Sequence, residues 1–460
     1  MKQFRTGVIV LLVVFVLATS FAACGNKGWN KKQQKGNAEK PTSLVAKDGK
    51  FKILQFTDTH LISNGTNDLD DQTLRWMKEA VEKTQPDLVE LTGDITGSGT
   101  AKRDAGILAI ANMFEGMGQY WAYSFGNHDG EWSKEGGITE KFVGKIGVQT
   151  KVEDVNPSIK EDPKYVEASK KYDLVYGDNT LGNQEIFDQL AGYKYCLSRQ
   201  DPSEKEETTR AAMGVGNYTI DLVDNDGNLV YALIHMDTHG KMYSNPIGND
   251  IRKNPDAAKD AGYVGLTDAQ IEWYEGKAAE YAEKGIKTAV FMHIPHYGFR
   301  EATEDYTEHS QYGIPQFKEK ENIEDVVRDQ LFNDLEFVKE EGVYACRWED
   351  GLETAIDKYK TTNLIAVGHD HNNCFYLRRN IGEKYMEDGE TDNEIVIAYG
   401  RCSGVNAWGR KINIGATVYE IDTNKEELSD MYKISVFYPE FDYIQEFKGS
   451  EIHCEEPHLN

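Results

Sequence analysis

Five short clusters of His, Asp and Asn recur along the chain, each where an apolar run ends. They are Asp58-Thr59-His60, Gly93-Asp94, Gly126-Asn127-His128-Asp129, His293, and Gly368-His369-Asp370-His371. Imidazole and carboxylate in this mixture suit Mn, Fe or Zn better than Mg or Ca. Two ions held about 3.5–4 Å apart need a shared carboxylate, flanking imidazoles and open positions for a substrate. The histidines at 369 and 371 alternate along an extended segment, so they fall on one side of it. Taken singly, Asp58-Thr59-His60 and Gly93-Asp94 read as turns, and His293 reads as a satisfied core histidine. Five clusters in order, each after a strand, read as one site.

The elements that must position them alternate between short apolar strands and amphipathic helices. Strands are expected at Phe51–Phe56, Leu88–Leu91, Tyr120–Phe125, Tyr231–Met236, Thr288–Met292 and Leu364–Val367, with three more near 395–398, 416–421 and 434–438. Strand carboxyl ends in an open α/β arrangement line one edge, where ligands bind. Leu74, Met77, Ala80 and Val81 recur at helical spacing before Pro86, and another helix is expected around Ile107 to Phe114. Asp224-Asn225-Asp226-Gly227 reads as a hairpin turn, and Thr267 with Gln270 as a capping box. The ordered domain is expected over 49–445, with insertions at about 130–217 and 297–349, the second carrying a helical run from Val326 to Val338. A tail follows at 446–460. His235 and His239 read as satisfied polar residues beside a central strand.

In order and spacing, these clusters resemble the calcineurin-like metallophosphoesterase superfamily. The resemblance implies an α/β fold (α+β by some schemes), a two-sheet β-sandwich flanked by helices, with a dinuclear centre at one edge. By position, Asp58, His60 and His371 would hold one metal, Asp94 would bridge, and Asn127, His293 and His369 would hold the second. His128 would be the general acid or hydrogen-bond donor to the leaving oxygen, with Asp129 orienting it. Purple acid phosphatases carry Tyr three residues after the bridging Asp, where Gly97 stands here, so no tyrosinate colour is expected. Serine/threonine phosphatases continue Asp-Arg-Gly, where Ile95-Thr96-Gly97 stands. Gly368 to Asn373, Tyr399-Gly400-Arg401 and Trp408-Gly409 look most like a purple-acid-phosphatase-like branch.

The implied reaction is hydrolysis of phosphate mono- or diesters by in-line attack of a dimetal-bound hydroxide, with two divalent ions as cofactors. The alternative is a non-catalytic surface lipoprotein using the same fold as a binding module. Substrate contacts are expected from His296, Tyr297, Asn372, Asn373, Asn406 and Arg410, Arg being the natural partner of a phosphate oxygen.

The 460 residues carry a formal net charge of -26 and 28% charged residues. Such acidity argues against wrapping nucleic acid, but a metal site can reverse the field locally for a small phosphorylated substrate. Lys2 and Arg5 precede an apolar run from Gly7 to Ala23, which has the layout of a secretory signal peptide. The run ends Phe21-Ala22-Ala23-Cys24, resembling the bacterial lipobox, so Cys24 is the expected lipidation site. The expectation is an exported chain, lipid-anchored to the cell membrane on its extracytoplasmic side, with residues 24–48 as a flexible tether. The other five cysteines, Cys196, Cys346, Cys374, Cys402 and Cys454, show no C-x-x-C pattern and read as free thiols.

Overall fold

The computed structural model describes residues 40–439, apart from 63–67, 98–102, 130–149, 172, 177–179, 202–203, 205–211, 246–261, 264, 305–307, 310–314, 317–337, 340, 383–392 and 410–413. The signal segment, Cys24, the tether up to residue 39, Arg410, most of the Val326–Val338 run, Cys454 and the tail lie outside the described residues.

Twelve strands build two sheets. In chain order they are β1 (Ser43–Val45), β2 (Lys50–Phe56), β3 (Leu88–Thr92), β4 (Trp121–Ser124), β5 (Tyr218–Val223), β6 (Leu229–His235), β7 (Lys287–Phe291), β8 (Thr362–Val367), β9 (Tyr376–Asn380), β10 (Glu394–Tyr399), β11 (Ala416–Asp422) and β12 (Tyr432–Phe437). One sheet runs β12-β11-β2-β3-β4, with β2, β3 and β4 parallel. The other runs β1-β5-β6-β7-β8-β10-β9, with β6, β7, β8 and β10 parallel. Smaller sheets come from the connecting segments, among them one that joins 173–176 of the first insertion to 241–245 and 262–263.

Period-two alternation sorts the apolar side chains into layers. On β2, Phe51 and Ile53 face the seam between the sheets, while Leu54 and Phe56 face outward. On β8, Leu364 and Ala366 face the seam and Ile365 and Val367 face outward. The outer face of the β2 sheet is covered by α1 (Asp68–Thr84) and α2 (Arg103–Met117), through Trp76, Met77, Ala80, Ile110 and Phe114. The outer face of the other sheet is covered by α3 (Asp268–Glu283) and α4 (Leu352–Tyr359), through Tyr274, Ala278, Tyr281, Leu352 and Ile356. The result is the expected sandwich with helices on both faces. The Thr267–Gln270 capping box opens α3, and the Asp224 carboxylate accepts from Asp226 N and Asn228 N to close the hairpin between β5 and β6.

One boundary is corrected. The tether expected to run to residue 48 is structured at its end, where Ser43–Val45 pairs in parallel with Asp221–Val223. Four of the cysteines, at 196, 346, 374 and 402, are buried free thiols.

His235 sits fully buried between the sheets, stacked on Tyr218 and 3.0 Å from both Glu90 oxygens. A buried ion pair ties α4 to β9. Arg379 donates to Glu353 at 2.6 and 2.9 Å and to Glu301 at 2.7 Å, while His296 Nε2 lies 3.1 Å from Glu353. Burial alone would raise the Glu353 pKa, but His296 and Arg379 outweigh it and hold the carboxyl well below the usual range. Removing one member of a buried pair leaves its partner uncompensated. Glu353→Gln is therefore expected to cost about 3 kcal/mol in urea unfolding; a change below about 0.5 kcal/mol would show the pair to be idle.

Candidate dinuclear metal site

The clusters follow strand carboxyl ends of both sheets, so the sandwich brings them to one edge. Asp58 and His60 follow β2, Asp94 follows β3, Asn127 and His128 follow β4, His293 follows β7, and His369 and His371 follow β8. Their backbones are unusual. Among the described residues, eight non-glycine positions have positive φ, and four of these are Asp58, His60, Asp94 and His369. A left-handed backbone costs a non-glycine residue of order 1–3 kcal/mol and persists only where surroundings enforce it. Enforcement here is close packing. A Cβ on Gly93 would lie 2.5 Å from Gly126 N, and one on Gly126 would lie 2.2 Å from Asp94 Oδ1.

Two ligand groups result, Asp58 with His60 and His371, and Asp94 with His293 and His369. Within each group the donor atoms all lie within 4.8 Å of one another. Asp94 Oδ2 is 3.2 Å from His293 Nε2 and 3.7 Å from His60 Nε2, so one carboxylate faces both groups. Asp58 Oδ1 in turn is 3.4 Å from His371 Nε2 and 4.0 Å from His293 Nε2. Asn127 is buried at the same edge.

The imidazoles are aimed by their other nitrogen. His293 Nδ1 bonds the Thr92 carbonyl at 2.7 Å, and His371 Nδ1 bonds the Trp408 carbonyl at 2.8 Å. Each ring therefore presents Nε2 inward, the arrangement that metal-ligating histidines adopt. The carboxylates are fixed in the same manner. Asp58 Oδ2 accepts from Thr57 Oγ1 and His369 N, and Asp94 Oδ1 accepts from His128 N at 2.7 Å.

The donor atoms left over fit a metal. Asp58 Oδ1, His60 Nε2, His293 Nε2 and His369 Nδ1 are buried and make no hydrogen bond, a cost a folded protein rarely bears without a ligand. Two buried carboxylates and five buried or half-buried imbedded imidazole or amide donors are the chemistry of a transition-metal pair.

Charge couples the site to protons. Burial pushes His293 down, but Asp94 and Asp58 outweigh it and raise the ring to about 10. His371 rises to about 9 against the same burial, through Asp58. Burial pushes His60 and His369 down, and His369 is pushed further by His293. Without ions, His293 and His371 are thus protonated at neutral pH, and a metal must displace both protons. Metal uptake is expected to release about two protons per chain near pH 7.5, and the product of the two affinities to rise about a hundredfold per pH unit toward pH 9. Calorimetry in buffers of different ionisation enthalpy measures this directly; pH-independent uptake without proton release would contradict it.

Glu341 and Tyr344, which hold the ligand loop, escaped the sequence reading. Glu341 Oε1 accepts from Asn372 N at 2.5 Å, and Asp370 Oδ2 accepts from Tyr344 N at 3.1 Å and from the Tyr399 hydroxyl. The segment 341–344, at the end of the second insertion, thereby clamps the loop that carries His369 and His371. Burial raises Glu341 to about 8 and Asp370 to about 7.

Other expected contacts fall elsewhere. Asp129 is corrected: its oxygens accept from Gly126 N and Thr96 N at 2.9 and 3.2 Å, so its carboxylate ties two loops together. His296 is corrected as well, being buried on Glu353 because the residue after Pro295 turns under α4. Tyr297 bonds Lys164, Asn373 accepts from Glu341 N, and Asn406 donates to Asp70. His239 bonds Gln270. Asn372 is half-buried beside His371 and Gly409, at the site.

Comparison with known proteins agrees with this constellation. Residues 51–239 match the family model for calcineurin-like phosphoesterases. The chain is 22% identical over 411 residues to phosphatase DCR2 of Saccharomyces cerevisiae, covering 83% of this chain and 53% of that protein. It is 29% identical over 162 residues to the probable inactive purple acid phosphatase 28 of Arabidopsis thaliana, covering 31% of this chain and 40% of that one. The chain thus spans about half the length of these relatives or less. Solved structures similar to it include a dimetal phosphatase from Danio rerio (TM-score 0.36, 11% identity, 80% of this chain and 92% of that one). A purple acid phosphatase from yellow lupin gives TM-score 0.37 and 12% identity over 86% of this chain and 54% of that one. Superposition this loose adds nothing to the fold read from the strand order, but the segment similar to calcineurin-like phosphoesterases holds Asp58, His60, Asp94, Asn127 and His128.

Proposed function

We propose that the chain is a metal-dependent phosphoesterase that hydrolyses phosphate mono- or diesters, exported and lipid-anchored through Cys24. The observation that carries the catalytic part is the convergence of buried donor atoms without hydrogen bonds, faced by a histidine outside both ligand groups. The basic and apolar N-terminal segment ending in Ala22-Ala23-Cys24 supports the export and anchoring.

Two divalent ions held there by Asp58, His60, Asp94, Asn127, His293, His369 and His371 would neutralise charge on phosphoryl oxygens and lower the pKa of water from 15.7 toward about 7. The chain's own contribution is alignment and proton transfer. Asp94 sets the distance between the two ligand groups. Its Oδ1 fixes the His128 backbone, leaving the ring, with 20% of its side chain accessible, at the mouth of the site. From there His128 can donate to the leaving oxygen, which typically contributes roughly 10²–10⁴-fold.

The test is hydrolysis of paired chromogenic phosphate mono- and diesters by protein stripped of metal and resupplied with Mn, Fe, Zn or Mg. Metal-dependent turnover establishes the class, and the mono/diester ratio begins to define the substrate. Two bound ions without turnover of any ester would favour a binding module instead. Globomycin-sensitive processing and palmitate labelling lost in a Cys24→Ala variant would test the anchor.

A further inference from the structure

Five large hydrophobic side chains are exposed among the described residues: Val45, Ile62, Tyr344, Trp408 and Tyr438. Isolated exposed apolar residues need no explanation. Three of these five, however, are attached to the segments that carry the metal ligands. Ile62 stands two residues after His60. Tyr344 donates its backbone N–H to Asp370, which lies between His369 and His371. Trp408 accepts from His371 Nδ1 through its carbonyl, and its indole lies 5.0 Å from the His371 ring at a tilt of 44°. With 54% of its surface accessible, Trp408 is the most exposed of the five.

Its placement is not accidental to a loop. The carbonyl bond to His371 fixes the backbone of Trp408, and a Cβ on the following Gly409 would sit 2.8 Å from Asn372 Oδ1, so the turn is pressed against the ligand loop. A half-open indole held at the lip of a charged centre leaves apolar area in water, which is unfavourable. That cost is recovered whenever a flat apolar group covers it.

The polar chemistry of the lip points the same way. The ligand-bearing loops 57–62, 92–97, 124–129, 293–296 and 367–373 contain no Lys or Arg. Nothing on them favours a second anionic group on the substrate, and the net charge of -26 disfavours one further. On these five loops, what is left to select the alcohol half of an ester is apolar and stacking contact.

We infer that the substrate is a phosphate ester whose alcohol half carries a flat aromatic ring, which stacks on Trp408 with Ile62 bordering the His60 side. This rests on the phosphoesterase reading and specifies its substrate class. Offset stacking against an indole adds selectivity without new polar contacts.

The test uses non-hydrolysable phosphonates and the metal-loaded protein. Phenylphosphonate, 2-phenylethylphosphonate and methylphosphonate are titrated by calorimetry into the wild type, Trp408→Ala and Trp408→Phe. The better-fitting aromatic ligand is expected to bind about tenfold tighter than methylphosphonate. Trp408→Ala should erase that preference and Trp408→Phe should keep most of it. Equal affinity for all three ligands in the wild type, including no affinity for any, overturns the inference. A preference that survives in Trp408→Ala also overturns it. So does an equal loss for all three ligands in that variant, because the indole would then only prop His371. Hydrolysis of phenyl phosphate assayed alongside separates the two readings. Ring preference without turnover sinks the phosphoesterase and leaves the aromatic subsite, whereas turnover without ring preference does the reverse.

Discussion

Asp94→Asn is expected to lose bound metal and hydrolysis together, with activity falling by more than the roughly 10–100-fold that changes outside the ligand set cost. The reason is that one side chain does three things. Asp94 Oδ2 lies 3.2 Å from His293 Nε2 and 3.7 Å from His60 Nε2, which belong to different ligand groups. Its Oδ1 holds the backbone of His128. An amide can still accept that hydrogen bond, but it brings no charge to set against two cations. The carboxyl itself is kept ionised in the burial that would otherwise raise it, because His293, His128 and His60 face it. Metal content by mass spectrometry and turnover should fall in parallel. A variant that keeps two ions per chain would show that Asp58 and the imidazoles suffice and that Asp94 does not bridge.

The ligands were legible in the sequence because each stands where a strand ends. Periodic burial shows where a strand ends, and chemistry-bearing residues just after those ends announced themselves. Asp58, His60, Asp94, Asn127, His128, His293, His369 and His371 all stand directly past β2, β3, β4, β7 or β8. What periodicity cannot show is a partner chosen by the fold across distant loops. Glu341 reaches the 369–373 loop from the second insertion, beyond its expected helical run, and His296 finds Glu353 57 residues away. Asp129 looked like a relay because it follows His128, yet the turn points its carboxylate back at Gly126 N. The edge strand Ser43–Val45 is three residues long, too short for any alternation to register, and exists through its pairing with Asp221–Val223. Trp408 was conspicuous as a residue type, but its carbonyl bond to His371 belongs to the tertiary structure alone.

His128→Ala separates chemistry from metal binding, and it is expected to retain both ions while turnover drops by roughly 10²–10⁴-fold. The ring lies outside the two ligand groups. Its Nε2 stands 4.0 Å from Asp94 Oδ2, and its centroid is 5.5 Å from that of His60, so it lies beside the ligand groups without belonging to either. Among His60, His128, His293 and His371 it has the most accessible side chain, at 20% against 10%, 0% and 3%. A group that must meet the departing oxygen has to be open on one side. The Asp94 contact uses the His128 backbone N–H, which alanine preserves, so the bridge geometry should survive. The discriminating readout is the leaving group. An ester whose alcohol has a low pKa needs little protonation, so the defect should shrink for an activated aryl ester and be largest for an alkyl ester. Loss of metal in this variant would make His128 a ligand, and an equal loss for both esters would limit it to holding the ground state rather than donating a proton.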